Sequence, residues 1–346
     1  MKPVKVLIVD DSALMRQLLT HVLRAAPGVQ VVGAAADPYA AWEKIHELEP
    51  DVLTLDVEMP RMDGLTFLRK LMTARPMPVV MVSSLTEAGC ETTLKALELG
   101  AVDFVTKPKL DLTAGTLDLA GELVDKVRGA TLARLRTRRT PIPAAGPKPP
   151  IALRTTHKII ALGASTGGTE ALAEVLAAMP PDAPGTVMVL HMPERFTRSF
   201  ADRLDRVCRV RVREAADGDR VLPGHVLLAP GNYHMELNRE GATYSVRVRS
   251  SEPVNRHRPS VDVLFHSCAK HAARNCAAAI LTGMGADGAR GLLALRNAGA
   301  FTIAQDEATS VVYGMPKEAV ELGAACEVQP LDCVAPRLLA SVNEAR

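Results

Sequence analysis

The chain has 346 residues, 47% hydrophobic, 23% charged and only 3% aromatic, which asks for two domains or slightly more and excludes a wholly disordered or fibrous protein. No apolar run approaches the ~18 to 20 residues of a membrane span, and Met1–Val9 reaches Asp10 and Asp11 too early for a signal peptide. Six scattered cysteines without CxxC or zinc-type spacing suit a reducing compartment, so a cytoplasmic location is expected.

The formal charge of +2 hides three blocks. Residues 1–125 carry 12 basic and 18 acidic residues, residues 126–158 carry nine basic and no acidic ones, and residues 159–346 carry 20 and 21. An acidic block, a basic bridge and a nearly neutral block already divide the chain.

In the acidic block, β-branched runs at Val4–Val9, Val29–Ala35, Val52–Leu55, Val79–Val82 and Val102–Val105 predict buried strands. They alternate with apolar residues at helical spacing, such as Leu14, Leu18 and Val22. Five such βα units predict a parallel, doubly wound α/β sheet whose functional groups gather at the carboxyl ends of the strands. Asp10 and Asp11 follow the first strand, Asp56 the third, Ser83 the fourth and Lys107 the fifth. Clustered carboxylates raise one another's proton affinity and invite a hard cation such as Mg²⁺. With a lysine and a hydroxyl beside them they make a site for phosphoryl oxygens, with Asp56 as the nucleophile that forms an acyl phosphate.

With Met59-Pro60, Asp63-Gly64 and Pro108 in place, residues 1–125 resemble a response-regulator receiver domain of flavodoxin-like (βα)5 fold. The resemblance implies a metal held by Asp10, Asp11, Asp56 and the backbone carbonyl of Glu58, and phosphorylation of Asp56 by a histidine kinase. It also implies phosphate sensing by Ser83 and Lys107 and a switch aromatic at Phe104. Serine stands at position 83 where many receivers carry threonine, which keeps the hydroxyl and drops the methyl group.

Residues 126–154 are expected to be a basic linker, because five prolines fall between Pro141 and Pro150 among several arginines. The third block, 155–346, resumes with a strand at Lys158–Leu162, a helix at Glu170–Met179 and a strand at Val187–Leu190. Alternation at Val207–Val212 and Thr243–Arg249 predicts an antiparallel insertion; a strand at Ala277–Leu281, a helix at Ala289–Asn297 and a strand at Ala300–Ala304 follow.

Gly163–Gly168 (GASTGG) joins a strand to a helix and contains Gly-x-Ser-x-Gly, the pattern that lifts a serine hydroxyl above a sheet. A phosphate-cradling loop or a packed turn of small residues would also use these glycines, although no Lys-Ser/Thr follows them. His191 ends the second strand and could serve Ser165 as general base, and Asp287, after a further strand, could orient the imidazole or simply cap a helix. The order Ser…His…Asp differs from the Ser…Asp…His of α/β-hydrolases.

These motifs, with Ala229–His234 (APGNYH) and Arg258–Asp262 (RPSVD), make residues 155–346 similar to the chemotaxis protein-glutamate methylesterase family. The resemblance implies a doubly wound, mainly parallel domain of hydrolase type that cleaves γ-glutamyl methyl esters on chemoreceptors and deamidates particular glutamines. It implies Ser165 as nucleophile, His191 as base and Asp287 as its orienter, with Thr166 and Met284 lining the site and the Met284 amide a candidate oxyanion donor. No cofactor is expected for the hydrolysis, and a monomer is expected. The competing reading is a regulator whose output is binding, in its extreme form DNA binding by the basic linker. That stretch has no aromatic residue and no helix-turn-helix pattern, so nucleic acid is not an expected partner.

Overall fold

Apolar runs become parallel strands in both halves of the chain. The computed structural model describes residues 2–107, 115–135 and 158–344, and the chain divides into one unit up to residue 139 and a second from residue 140.

In the first unit, β1 (Val4–Val9), β2 (Val29–Ala35), β3 (Val52–Asp56), β4 (Val79–Ser83) and β5 (Asp103–Thr106) form a sheet in the order β2-β1-β3-β4-β5. Every neighbouring pair is parallel. Val6, Leu7 and Ile8 have no exposed surface, and each such aliphatic contributes about 1.5 to 3 kcal/mol by leaving water. The helices α1 (Ala13–Ala25), α2 (Pro38–Leu48), α3 (Gly64–Ala74) and α4 (Glu87–Glu98) start on the side-chain caps Ser12, Asp37, Asp63 and Thr86. The chain runs from β1 outward to β2 and returns to β3, so a crevice opens between the ends of β1 and β3.

Helix α5 (Gly115–Thr131) corrects the expected start of the linker at residue 126. Leu123, Val127 and Ala130 are fully buried at helical spacing, so the absence of acidic residues there marked a charge boundary and not the end of the fold. Lys126 pairs with Asp103 at 3.2 Å and Glu122 at 2.9 Å, and Arg128 donates to the Pro27 carbonyl. Lys158 likewise donates to the Arg274 carbonyl at 3.3 Å. Three of the nine bridge charges therefore belong to folded surfaces. The proline-rich stretch itself lies outside the described residues.

The second unit contains β6 (Ile159–Ala164), α6 (Gly168–Ala177), β7 (Gly185–Leu190), α7 (Phe196–Val207), β8 (Arg211–Glu214), β9 (His225–Leu228), β10 (His234–Glu240) and β11 (Thr243–Arg249). After them come α8 (Val261–His271), β12 (Cys276–Ile280), α9 (Ala289–Asn297), β13 (Phe301–Gln305) and β14 (Glu327–Gln329). Seven strands make one sheet in the order β14-β13-β12-β6-β7-β9-β8, parallel throughout. The antiparallel insertion is the β10–β11 hairpin.

The expected strand at Val207–Val212 is instead the junction between α7 and β8. Val207 ends the helix whose buried face carries Phe200 and Leu204, and the Cys208 amide caps it on the Leu204 carbonyl. Alternation was read across a boundary where both elements send apolar residues into the core. From the first strand β6 the chain grows to β7 on one side and later to β12 on the other, so the switch point lies at the end of β6.

Candidate active site and phosphoacceptor site

Three loops leave adjacent strand ends at that switch point. Ala164 pairs with Leu190 across β6 and β7, so Ser165 and His191 each follow a paired residue, and the His191 amide bonds the Ala164 carbonyl at 3.2 Å. On the other side the Ser165 amide bonds the Thr282 carbonyl at 3.0 Å. Gly283 packs so closely that a Cβ there would lie 2.8 Å from the Ser165 Cβ and 2.3 Å from the Met315 sulfur, so only glycine fits. Gly167, at φ +76°, turns the chain into α6.

His191 and Asp287 are joined by a 2.8 Å contact between Nε2 and Oδ2, and both side chains are buried. A carboxylate only accepts, so Nε2 carries the hydrogen and Nδ1 presents a bare lone pair. Nδ1 is buried and has no hydrogen-bond partner. Asp287 accepts further bonds from the Val261 amide (2.6 Å), the Ser260 hydroxyl (2.7 Å) and the Asn255 amide (2.7 Å), and a long one from the Asp262 amide (3.4 Å). Ser260 and Val261 open α8, so the carboxylate also sits at a helix N-terminus. Burial works against its charge, but the hydrogen bond from His191, which attracts the carboxylate further whenever the ring is protonated, and the donors Asn255 and Ser260 hold its carboxyl far below the ordinary range. Asp262, by contrast, is pushed upward by burial, with the charge of Asp287 adding to the effect.

The Met284 amide makes no hydrogen bond among the described residues, which leaves it available beside Ser165. Thr166 is buried, and its carbonyl accepts from the Thr282 hydroxyl at 2.9 Å. His234, which closes the Ala229–His234 motif, is tied at both nitrogens, to the Ser260 amide and the Glu252 carbonyl. His257 stacks on His191, ring centroids 3.7 Å apart and planes within 11°. Cys268 and Cys276 are buried free thiols, and burial, with Cys276 nearby, pushes the Cys268 thiol upward.

In the first unit, Asp10, Asp11 and Asp56 bring carboxylate oxygens within 4.8 Å of one another. Lys107 reaches Asp56 at 2.7 Å and Asp10 at 3.5 Å, the longer an ion-pair distance without a formed hydrogen bond. Burial raises Asp10, and raises Asp56 to about 6 against the pull of the Lys107 bond. Burial also opposes the charge on Lys107, but its bonds to Asp56 and the nearby acids outweigh it and raise its proton affinity. The Asp10 Oδ2 atom is buried without a hydrogen-bond partner, and the Glu58 amide bonds Asp56 Oδ1 at 3.2 Å. An orphaned carboxylate oxygen among oxygen donors fits a hard divalent cation. Ser83 is buried, donating toward the Gly89 carbonyl and accepting from the Thr93 hydroxyl at 2.6 Å. Phe104 is buried on β5 under the Lys126 ammonium, 4.9 Å from the ring centre.

Residues 160–338 match the family described as CheB methylesterase, and residues 6–114 match the response regulator receiver domain. A Bordetella avium protein named protein-glutamate methylesterase/protein-glutamine glutaminase 2 is 58% identical, covering 98% of this chain and 97% of its own length. The chain belongs to the CheB methylesterase family. A Pseudomonas aeruginosa protein of the same name is 59% identical over 97% of this chain and 96% of its own. The crystal structure of the Thermotoga maritima CheB methylesterase catalytic domain superposes with a TM-score of 0.52 at 38% identity, covering 53% of this chain and 97% of that one. The two-domain α/β reading is thereby established, with a receiver in front of a CheB catalytic domain.

Within the family's catalytic domain, the structure brings together the expected Ser165, His191 and Asp287, with Met284 and Thr166 beside them. Asn255, which reading the sequence did not single out, joins the set through Asp287 and brings in Asp262, the last residue of the Arg258–Asp262 motif. The signal for Ser260 was present, since it lies inside the Arg258–Asp262 motif and opens a helix. No pattern announces Asn255, which reaches the site from a turn between distant elements.

Proposed function

We propose that this chain is a serine hydrolase that removes methyl groups from γ-glutamyl esters of chemoreceptors, and deamidates selected glutamines, under the control of phosphorylation at Asp56. The observation that carries the reading is the buried, unpartnered Nδ1 of a histidine whose other nitrogen is fixed on an ionised aspartate. The names of the full-length relatives support the substrate class.

In the reaction, the His191 Nδ1 lone pair takes the Ser165 proton as the hydroxyl oxygen bonds to the ester carbonyl carbon. Negative charge moves to the carbonyl oxygen, toward the free Met284 amide. The imidazolium, stabilised by Asp287, returns its proton to the methoxy oxygen, and methanol leaves a seryl ester. Water repeats the sequence and frees the glutamate carboxylate. With a glutamine substrate the leaving group is ammonia.

In the receiver, Asp10, Asp11, Asp56 and the Glu58 carbonyl would hold Mg²⁺, which when bound offsets the charge of the incoming phosphoryl group. Lys107 and Ser83 stand ready for its remaining oxygens, and Phe104 is the aromatic that would report the change. The phosphodonor is a histidine kinase of the chemotaxis array. The protein works as a cytoplasmic monomer; no helix among the described residues is long and apolar enough to cross a membrane. The test is methanol release from methylated receptor, with and without a small phosphodonor. Ser165→Ala should abolish it, and Asp56→Asn should abolish only the response to the phosphodonor. Retained hydrolysis by Ser165→Ala overturns the nucleophile, and an unaltered response in Asp56→Asn overturns the control.

A further inference from the structure

The turn Val254–His257 makes contacts that packing alone does not require. Val254 and His257 exchange both backbone hydrogen bonds, at 3.1 and 2.9 Å, and close a two-residue loop. The central residues Asn255 and Arg256 both adopt left-handed conformations, with φ of 52° and 67°. This is the geometry of a type I′ turn, which normally recruits asparagine or glycine. Val254, Asn255 and Arg256 are exposed along their chain, so the turn supplies little to the core.

Its side chains nevertheless converge on the buried pair. The Asn255 nitrogen donates one hydrogen to Asp262 Oδ2 at 2.8 Å and the other to Asp287 Oδ1 at 2.7 Å. An amide nitrogen has two donors and accepts nothing, so it can sit between two carboxylates that would otherwise repel. Asp262 is anchored in turn by the Gly291 amide of α9 at 2.6 Å. A chain of bonds thus runs from α9 through Asp262 and Asn255 to Asp287 and His191. Two residues further on, His257 lies flat against the His191 ring.

We propose that this turn is a positioning device for the base: the Asn255 amide fixes the Asp287 carboxylate, and the His257 ring fixes the plane of His191. The Asp287 bond defines where Nε2 points, and the stacked ring removes the remaining tilt. Nδ1 is then held in one direction before substrate arrives, the supporting role that partners of reacting groups commonly play. The inference rests on the catalytic reading above and assigns positioning roles that this reading does not contain.

The test is steady-state methyl ester hydrolysis by the full chain, with melting followed in parallel. Asn255→Gly keeps the left-handed backbone and deletes the amide; Asn255→Asp keeps the shape and replaces donor by acceptor. Losing a hydrogen bond to a charged group predicts a kcat lower by about 10- to 100-fold for Asn255→Gly, with KM near that of the parent and a melting temperature lowered by roughly 3 to 10 °C, because the same amide separates the two carboxylates. Asn255→Asp should lose at least as much; should it fail to fold, Asn255→Gly decides. His257→Ala should lower kcat, and His257→Phe, which keeps a flat ring, should recover most of the loss. Wild-type kcat in Asn255→Gly, or a change carried by KM, overturns the role of Asn255. Equal rates in His257→Ala and wild type overturn that of His257. Ser165→Ala is run beside them. If it still hydrolyses ester, the catalytic reading itself has failed; if it is inactive while Asn255→Gly is not impaired, only the positioning role falls.

Discussion

Asp287→Asn changes one atom and tests the electrostatics of the site. The wild-type carboxylate meets only donors: His191 Nε2 and the Val261 amide at one oxygen, the Asn255 amide and Ser260 hydroxyl at the other. An amide must place its NH₂ at one of these positions, where donor faces donor. At the Oδ2 position the conflict with His191 is relieved only if the imidazole moves its hydrogen to Nδ1, which removes the lone pair that serves Ser165. In either orientation the negative charge beside the forming imidazolium is gone. For charge centres about 4 Å apart at an effective dielectric near 20, that charge contributes about 4 kcal/mol, or roughly three decades of rate. The tautomer change adds to it, and the corresponding substitution in Ser-His-Asp proteases lowers kcat by about 10⁴. We therefore expect kcat for methanol release from a glutamyl methyl ester peptide to fall by about 10³ to 10⁴, with KM changed by no more than a few-fold. The assay is run well below the melting temperature of the variant, because the substitution also disturbs the start of α8. A fall in kcat of less than about tenfold, or one expressed in KM, would refute the reasoning.

Three further perturbations address the rest of the molecule. Burial raises Asp56 to about 6 in the cation-free receiver, so its folded state binds the proton more tightly than the unfolded one. That contribution is fully present below about pH 4 and is lost as pH rises through 6; Asp56→Asn should therefore raise the receiver's stability at pH 8 in chelator by roughly 2 to 3 kcal/mol and little at pH 4. Equal gains at both pH values in denaturant melts would contradict this. Lys126→Ala leaves Asp103 buried without its cation and uncovers Phe104, so the receiver should lose about 3 to 5 kcal/mol in urea unfolding, and a loss under 1 kcal/mol would show the pair to be solvated. Gly283→Ala drives a methyl group against Ser165 and Met315; it should cut hydrolysis by more than about tenfold while phosphorylation of Asp56 proceeds at the parental rate. Parental hydrolysis by this variant would mean that the Ser165 loop can yield.

Much of the architecture was legible because burial on both faces of a parallel sheet writes continuous apolar runs. Val52–Leu55 and Val79–Val82, buried at every position, fall within one residue of the ends of their strands. Strand-end chemistry was legible for the same reason: once the strands are placed, Asp10, Asp56, Ser165 and His191 fall at their carboxyl ends by counting. What failed were junctions and short edge elements. Val207–Val212 alternated across a helix end, and the three-residue β14, one residue of which is well exposed, carries too little apolar signal to detect. The start of the linker was misplaced because charge changed at residue 126, whereas the helix is set by Leu123, Val127 and Ala130. In the site, the residues missed are those that act through others. Asn255 makes its contacts with Asp262 and Asp287 across intervals of seven and 32 residues, and no periodicity encodes such a meeting.

The two sites use the same residue in opposite ways, and the difference lies in how many donors surround each carboxylate. Asp287 is as buried as Asp56, yet its two oxygens receive four close bonds, two of them at the start of a helix, and its proton affinity falls far below normal. A carboxylate saturated by fixed donors keeps its charge and its direction, which suits it to orient an imidazole. Asp56 and Asp10 share one lysine among clustered acids, their proton affinities rise, and one buried oxygen of Asp10 is left without a donor. Carboxylates short of donors gain by acquiring a cation, and the chemistry of phosphoryl acceptance needs that demand. β7 and β12 flank β6, two strand spacings or about 10 Å apart, a gap that one histidine and one aspartate can bridge above the central strand. The order Ser…His…Asp along this chain is then a consequence of strand order, because the serine must come from the strand in the middle and the sheet is begun there.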